Sequence, residues 1–144
     1  MIIEFIELLT NKYNQMICIS DEVENIIKKS NVKNASVLVQ TMHTTTGVMM
    51  NERLECLESD IESYLEDLVP ETRNYAHARM LDSYGSTAGN PTGHLKSMLV
   101  GNHCHLIVND GKIMKGGAQE IYFMEFDGPA QRKIMVQISS YDKI

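Results

Sequence analysis

Turn signals divide the C-terminal third of the chain into short apolar runs, and this pattern limits the possible folds more than any other feature. The Asp110-Gly111 pair separates His103–Val108 from Lys112–Met114, and such a pair between two apolar runs is typical of a β-hairpin. Glycine-containing turns set off two more runs, Gln119–Phe126 and Lys133–Ser139. Because consecutive strands joined by short connections usually pair with each other, the pattern predicts an antiparallel sheet.

Three segments in the first half of the chain predict further strands. They are residues 1–9, Gln15–Ile19 and Ala35–Met42. Ala35–Met42 is the strongest of these predictions because it is apolar and carries β-branched residues. With the C-terminal runs, these segments predict about seven strands.

Two segments have the apolar spacing of amphipathic helices. The first, Ser20–Ser30, has Val23, Ile26 and Ile27 on one side and Ser20 as a predicted N-cap. In the second, between Leu54 and Leu68, acidic residues interleave with apolar ones. Both helices are predicted to lie against the sheet.

The region after the second helix is harder to assign. Pro70 ends the helical pattern, and residues 70–93 are predicted as a long loop. His94–Val100 is predicted as one or two helical turns that stop at Gly101. The whole pattern predicts an α+β fold with a mostly antiparallel sheet and two main helices in one domain, residues 1–144.

Length and charge restrict the class of protein. A chain of 144 residues is the size of one domain. Its net charge of −6 argues against a generally basic nucleic-acid-binding protein. No apolar run is long enough to cross a membrane, and the N-terminus lacks the pattern of a signal peptide. Three widely spaced cysteines without a CxxC pair indicate neither a zinc ribbon nor a thioredoxin-type redox site, and a cytoplasmic location is expected.

The apolar composition is unusual, with ten methionines and no tryptophan. Because the flexible thioether fills irregular gaps between other side chains, the composition predicts that methionines pack in the core.

His43 and His94 are the first candidates for chemistry. His43 lies where a predicted buried strand ends in a threonine-rich turn, and loops held by strands often carry functional residues. His94 follows a glycine-containing segment and opens the predicted helical turns. The N–H groups at the start of a helix favour anions. His94, Lys96 and Ser97 are therefore predicted to bind a phosphate or a carboxylate.

Other polar residues leave alternatives open. His103 and His105 have the spacing that puts both side chains on one face of a strand, where they could bind a metal or simply face solvent. The solvated alternative is the commoner one. Asp60 could point inward from its helix. Arg132, close to Asp127 in sequence, could hold an anion or form an ion pair, and the ion pair is commoner.

The segment HTTTGVMMNE, from His43 to Glu52, resembles a motif of the YjbQ family of small uncharacterised proteins. Three more blocks agree in order and spacing. They are NYAH ending at His77, NPTGHLKSMLVG from Asn90 to Gly101, and the closing block from Gly116 to Ile138. The chain departs from the family at Ala118, where the family carries tryptophan, and at Glu120, where it usually carries glycine.

The resemblance implies a β-sandwich-like α+β fold that assembles as a homotrimer with sites between subunits. It also implies a secondary thiamine-phosphate synthase activity, which joins a hydroxymethylpyrimidine diphosphate to a thiazole phosphate and releases pyrophosphate. The expected partner is therefore a small phosphorylated molecule, with no nucleic acid and no membrane. A non-catalytic trimer that binds a metal or a small ligand is the alternative.

Residue by residue, the resemblance assigns three sets of candidates. The catalytic candidates are His43, His94 and Asp60. The substrate- or anion-binding candidates are Lys96, Ser97, Asn51 and Gln119. The candidate ligands of a divalent metal, Zn or Mg, are His43, His77 and His94.

Overall fold

The structure is a computed structural model that describes residues 1–79 and 90–143. Within these residues the chain forms eight strands and four helices. The strands are β1 (Ile2–Leu9), β2 (Gln15–Cys18), β3 (Ala35–Thr41), β4 (Thr46–Glu52), β5 (His103–Asn109), β6 (Lys112–Ile113), β7 (Gln119–Glu125) and β8 (Gln131–Ser140). The helices are α1 (Ser20–Ser30), α2 (Glu55–Leu68), α3 (Ala76–Arg79) and α4 (Pro91–Val100).

The strands form two antiparallel sheets. Sheet A has the order β1-β8-β3-β5-β6, and sheet B has the order β2-β7-β4. The predicted α+β class and the mostly antiparallel sheet are therefore confirmed. Among the described residues, no helix is long and apolar enough to cross a membrane.

The main core lies between the two sheets and against α1. Residues alternate along β3, so that Val37 and Val39 are fully buried while Ser36 and Leu38 face the other way. The same alternation in β8 buries every second residue, as expected when one face of a sheet is covered. The face that carries Ser36 and Leu38 is the outward face of sheet A.

A second core covers the other face of sheet B. Tyr122 and Met124 of β7 pack there with Leu65 of α2 and with Phe126, and Val100 of α4 joins them. Strand β7 is therefore buried on both faces, which explains its continuous apolar sequence.

Helix α4 lies unusually close to sheet B because each of the two elements has a glycine at the contact, Gly93 in α4 and Gly47 in β4. A Cβ atom at Gly93 would lie 2.9 Å from the carbonyl oxygen of Phe126. One at Gly47 of β4 would lie 2.7 Å from Cγ1 of Val100. The absence of a side chain at both positions lets α4 bring His94 against the ends of the strands.

The predicted hairpin at Asp110-Gly111 is present, and both residues have positive φ, 49° and 74°. Two positive φ values are what a type I′ turn requires. The turn joins β5 to β6, which form the last pairing of sheet A.

Two local predictions need correction. Ser20 is the first residue of α1 rather than its N-cap, because its Oγ accepts a hydrogen bond from the backbone N–H of Ile121 at 2.9 Å. The predicted loop 70–93 contains α3 and the first turn of α4, which begins at Pro91 rather than His94. Proline suits the first turn of a helix because the N–H it lacks would have no partner there. Residues 80–89 of the predicted loop lie outside the described residues.

The prediction that methionines fill the core is largely wrong. Met124 alone is fully buried among the described methionines, and Met16, Met49 and Met50 pack at the edges of the two cores. Others are exposed, including Met42 and Met98. Branched residues such as valine and isoleucine fill the space between the sheets instead.

Candidate functional site

A buried ion pair between Glu125 and Arg132 lies at the centre of the candidate site. The guanidinium group donates through Nε to Oε1 and through one Nη to Oε2 of Glu125, each at 2.8 Å. Glu125 is fully buried at the end of β7, and Arg132 lies near the start of β8. The pair therefore joins sheet B to sheet A, and it supplies the ion pair that was predicted for Arg132.

Three further donors complete the coordination of the Glu125 carboxylate. The Thr10 hydroxyl donates to Oε1 at 2.6 Å. The backbone N–H groups of Phe126 and Asp127 donate to Oε2 at 3.1 and 3.2 Å. Since a buried charge is tolerated only when it is paired and hydrogen-bonded, this coordination sets the path of the chain at Asp127.

Asp127 in turn orients Asn90, just before α4. The Asn90 amide nitrogen donates to Oδ2 of Asp127 at 2.8 Å. Its Oδ1 lies 3.0 Å from Nε2 of His77 and 3.2 Å from Nε2 of His94. The two imidazole rings meet edge to face, with their centroids 5.2 Å apart. One amide group therefore holds two histidines from separate segments.

The hydrogen bonds of Asn90 determine the proton positions on these rings. A carboxylate can only accept, so the Asn90 amide nitrogen must face Asp127 and the amide oxygen must face the histidines. Each Nε2 then carries the hydrogen and donates it to Asn90. As a result, Nδ1 of His94 presents a lone pair.

His43 is held in the opposite tautomer. Its Nε2 accepts a hydrogen bond from the backbone N–H of Lys133 at 2.9 Å, so the neutral ring carries its hydrogen on Nδ1. Burial and the nearby Arg132 guanidinium lower the pKa of His43 below its ordinary value, and the Glu125 carboxylate opposes this shift. His43 is therefore neutral at neutral pH.

His43 and His94 line the same depression, which has a volume of about 570 Å³ and which we call the His43–His94 groove. Its lining residues are Gln40, Thr41, Met42, His43, Thr44, His94, Ser97, Met98 and Asn102. The groove is thus lined by two histidines, several neutral polar residues and two exposed methionines.

Helix geometry separates the three residues of the predicted anion site. Ser97 lines the groove with His94 and donates to the carbonyl oxygen of Thr46 at 2.5 Å. Lys96 is two residues from His94, which places it about 200° round the helix. Its side chain is buried on the opposite side, beside Asn14 and α2. The structure therefore does not bring Lys96 into the groove.

A carboxylate of the chain itself, that of Glu71, bonds to a side chain in the first turn of α4. Oε1 of Glu71 accepts from the hydroxyl groups of Thr92 and Tyr13, at 2.8 and 3.0 Å. Burial raises the pKa of Tyr13; the hydrogen bond with Thr92 opposes this shift, and Glu71 adds to it. Tyr13 therefore remains a protonated donor.

Asn51 and Gln119 lie away from the groove in this chain. Thr46 pairs with Glu125 at one end of the β4–β7 ladder, while Asn51 and Gln119 are at the other end. Five residues of strand separate Thr46 from Asn51, which is about 17 Å. The amide groups of Asn51 and Gln119 bond locally, to the N–H groups of Glu52 and Gly116.

Asp60 does not point inward. It is exposed on α2, whose packed side carries Ile61 and Leu65. Asp60 directly precedes Ile61, so its side chain is rotated about 100° around the helix axis from that of Ile61 and faces solvent.

The predicted metal ligands are only partly brought together. His77 and His94 are neighbours, and His43 shares a groove with His94, but all three Nε2 atoms already take part in hydrogen bonds. Among residues 1–79 and 90–143, no group of three histidine, cysteine or acidic side chains is arranged to hold a metal ion. In this arrangement a metal would have to use Nδ1 atoms.

Sequence reasoning missed Asn90 and did not assign Asp127 a role at the site. The only available signal was the Asn-Pro pair directly before a helix, which is also a common turn sequence. Their roles depend on contacts across 37 residues of sequence, and no local pattern reports such contacts.

Comparison with known proteins settles the family. A sequence model of the UPF0047 protein YjbQ-like family matches residues 4–141. The chain belongs to this family. A UPF0047 protein of Archaeoglobus fulgidus is 40% identical over 130 residues, which cover 90% of this chain and 95% of the relative. The UPF0047 protein YugU of Bacillus subtilis is 32% identical over 133 residues, covering 92% and 96%.

Solved structures of YjbQ-like proteins have the same fold. A YjbQ/UPF0047 family protein of Clostridium acetobutylicum superposes with a TM-score of 0.85 at 32% identity, covering 94% of this chain and 99% of that one. A protein of unknown function from Sulfolobus solfataricus superposes with a TM-score of 0.87 at 29% identity, covering 95% of each chain. The family resemblance and the fold that it implied are confirmed.

Replacing Glu125 by glutamine tests the buried ion pair. We expect Glu125→Gln to lower the free energy of unfolding by about 3–5 kcal/mol, because it leaves the Arg132 guanidinium buried without a counter-charge. Urea denaturation measures the change. The control is Glu120→Gln, which removes the 3.7 Å ion pair with Lys115 near the surface and should cost less than about 1 kcal/mol. Equal losses in the two variants would contradict the central role of Glu125.

Replacing His43 by glutamine tests its lowered pKa. An unfolded chain protonates this histidine near pH 6.5, whereas the folded chain resists protonation until a lower pH. The contribution of His43 to stability is therefore present above pH 6.5 and is lost as the pH falls through the folded pKa. We expect the melting temperature of the wild type to fall more steeply than that of His43→Gln between pH 7.5 and 5.

Glutamine can still accept the hydrogen bond from Lys133 but does not titrate, so the comparison isolates protonation. His105→Gln, at an exposed histidine outside the groove, is the matched control and should follow the wild type. Parallel curves for the wild type and His43→Gln would rule out the shift.

Proposed function

We propose that this protein is a small-molecule transferase that acts on a phosphorylated substrate in the His43–His94 groove. The observation that carries the proposal is that two histidines of one groove have opposite partners at Nε2, an amide oxygen for His94 and a backbone N–H for His43, which assigns complementary tautomers to the neutral rings. Nδ1 of His43 bears a hydrogen, while Nδ1 of His94 bears a lone pair. A transfer reaction uses one group to donate a hydrogen bond or proton to the leaving group and another to orient or deprotonate the nucleophile.

The family resemblance supports a more specific reaction of the thiamine-phosphate synthase type. In that reaction the bond between a pyrimidine methylene carbon and a diphosphate oxygen breaks, and a bond from the same carbon to a thiazole ring nitrogen forms. The diphosphate leaves with the bonding electron pair. In the proposed arrangement the His43 N–H donates to the departing diphosphate, and His94 positions the second substrate.

The phosphate contacts in this proposal differ from those expected from sequence. Lys96 lies on the far side of α4, so the His43 N–H and the neutral polar groups of the groove are the proposed donors. A divalent metal is a separate part of the proposal. It would bind at the Nδ1 lone pair of His94, because Nδ1 of His43 carries a hydrogen, and it would neutralise charge on the diphosphate.

We also propose that the protein assembles as a homotrimer. The outward face of sheet A exposes Ile3, Phe5 and Ile107, and cross-strand register places them on one surface. Exposed apolar surface of this kind favours association with another protein surface. The proposed location is the cytoplasm, where the free cysteines of the described residues would stay reduced.

An assay with the two phosphorylated substrates tests the function. Wild-type protein is incubated with hydroxymethylpyrimidine diphosphate and thiazole phosphate, with and without added Mg²⁺ or Zn²⁺, and both pyrophosphate and the joined product are measured. We expect His94→Gln to lower kcat about 10²–10⁴-fold. His105→Gln is the matched control and should keep the wild-type rate.

Turnover that is equal in His94→Gln and the wild type would reject the groove as the catalytic site. A different result would reject the transferase and support a ligand-binding protein: the wild type binds substrate without turnover, and His94→Gln does not bind it. An activity unchanged by metal removal would reject the metal.

Sedimentation equilibrium tests the assembly. We expect the wild type to have three times the mass of one chain and Phe5→Glu to dissociate, because the variant replaces an apolar ring of the contact surface by a hydrated carboxylate. Tyr64→Glu is the control, since Tyr64 is exposed on α2 rather than on sheet A. A wild-type monomer, or a Phe5→Glu variant that remains associated, would contradict the proposal.

A further inference from the structure

We propose that His103 and His105 form a two-histidine site for a divalent transition-metal ion on the outward face of sheet A. This site adjoins the His43–His94 groove at Asn102, but neither of its two histidines lines that groove. Both residues belong to β5, and both side chains are exposed. The intervening Cys104 points the other way, into the core.

The spacing of the two histidines suits chelation. Alternate residues of a strand lie on the same face, about 7 Å apart along the chain. Two imidazole rings at this separation can tilt towards each other and place their nitrogen atoms about 2.0–2.1 Å from one ion. The strand itself is held in position by six paired residues of β3, so little backbone order is lost on binding.

The first ring is already oriented as a ligand. Nδ1 of His103 lies 2.7 Å from Oδ1 of Asn102, to which it donates its hydrogen. The lone pair is then on Nε2, the nitrogen farther from the backbone. Metal-binding histidines usually donate their other N–H to an oxygen in this way, which fixes both the tautomer and the ring orientation.

The surroundings supply neutral oxygen groups. The two histidines line a depression of about 370 Å³ on the outward face of sheet A, together with Ser36, Leu38, Gln137 and Ser139. Cross-strand register puts Leu38 between His105 and Gln137. Hydroxyl groups, an amide group and water could complete the coordination, and the depression contains no lysine or arginine that would repel a cation.

The chemistry of the ligands selects the metal class. Imidazole nitrogen suits copper, nickel and zinc, whereas Mg²⁺ and Ca²⁺ prefer oxygen. With two imidazoles and oxygen ligands, Cu²⁺ binds most tightly of the divalent series, and Ni²⁺ and Zn²⁺ bind more weakly. The site therefore binds a transition metal and discriminates against Mg²⁺.

Copper titration of the intact purified protein tests this site. Isothermal titration with Cu²⁺, followed by electron paramagnetic resonance, should give a tight site with hyperfine coupling to two nitrogen atoms that is retained when the groove histidines are replaced. We expect His103→Gln and His105→Gln each to weaken binding at least tenfold. Asn102→Ala should weaken it about tenfold by releasing the ring of His103. Mg²⁺ should not compete.

His43→Gln and His94→Gln are the controls, because they remove histidines of the groove and leave β5 unchanged. They remove any metal bound in the groove but should keep the site with two nitrogen ligands at its wild-type affinity. Two results would overturn the site: no binding by the wild type, or wild-type binding by both His103→Gln and His105→Gln. Circular dichroism of each variant verifies that it is folded. His103→Gln and His105→Gln test the histidine pair independently, because each removes one of its two ligands.

Discussion

The structure depends on the ion pair between Glu125 and Arg132. Removing two charges from water costs several kcal/mol for each ion, and this cost is offset here by a bidentate contact and three further donors to the carboxylate. The pair lies where β7 of sheet B turns into β8 of sheet A. Its geometry therefore determines how the two sheets meet.

The candidate site follows from that junction. The carboxylate of Glu125 holds the backbone at Asp127, Asp127 orients Asn90, and Asn90 donates to Asp127 while accepting from two histidines. On the other side, Arg132 helps to keep His43 neutral. The tautomer of His94 thus follows from contacts that begin at a buried charge pair outside the groove, whereas the backbone N–H of Lys133 sets that of His43.

The His43–His94 groove and the outward face of sheet A have different proposed roles. The groove lies at the strand ends beside α4, where glycines permit close packing. The outward face of sheet A carries both the apolar surface proposed for assembly and the histidine pair proposed for metal binding. Both features face outward because the alternation along β3, β5 and β8 buries only the other side of the sheet.

Local patterns predicted the elements well and the site only in part. The hairpin at Asp110-Gly111 depends on turn residues, and the helices α1 and α2 depend on apolar periodicity. Both signals lie within a few consecutive residues and can be read from the sequence. The family motifs identified His43, His77 and His94. In the structure the ring of His77 contacts that of His94, and His43 lines the same groove as His94. The grouping of Lys96 with His94 failed, because residues two apart on a helix face opposite ways.

By itself, the sequence determined the α+β class, the antiparallel pairing and the family, because strand alternation, turn residues and motif spacing are properties of neighbouring residues. Only the tertiary structure decided that Glu125 pairs with Arg132, that Asn90 holds two histidines, and which ring nitrogen of each histidine is available. The longest of these contacts, between His43 and Lys133, joins residues 90 apart in sequence. Burial, rather than local preference, selects them, because each buried polar group must find a partner wherever the fold brings one within reach.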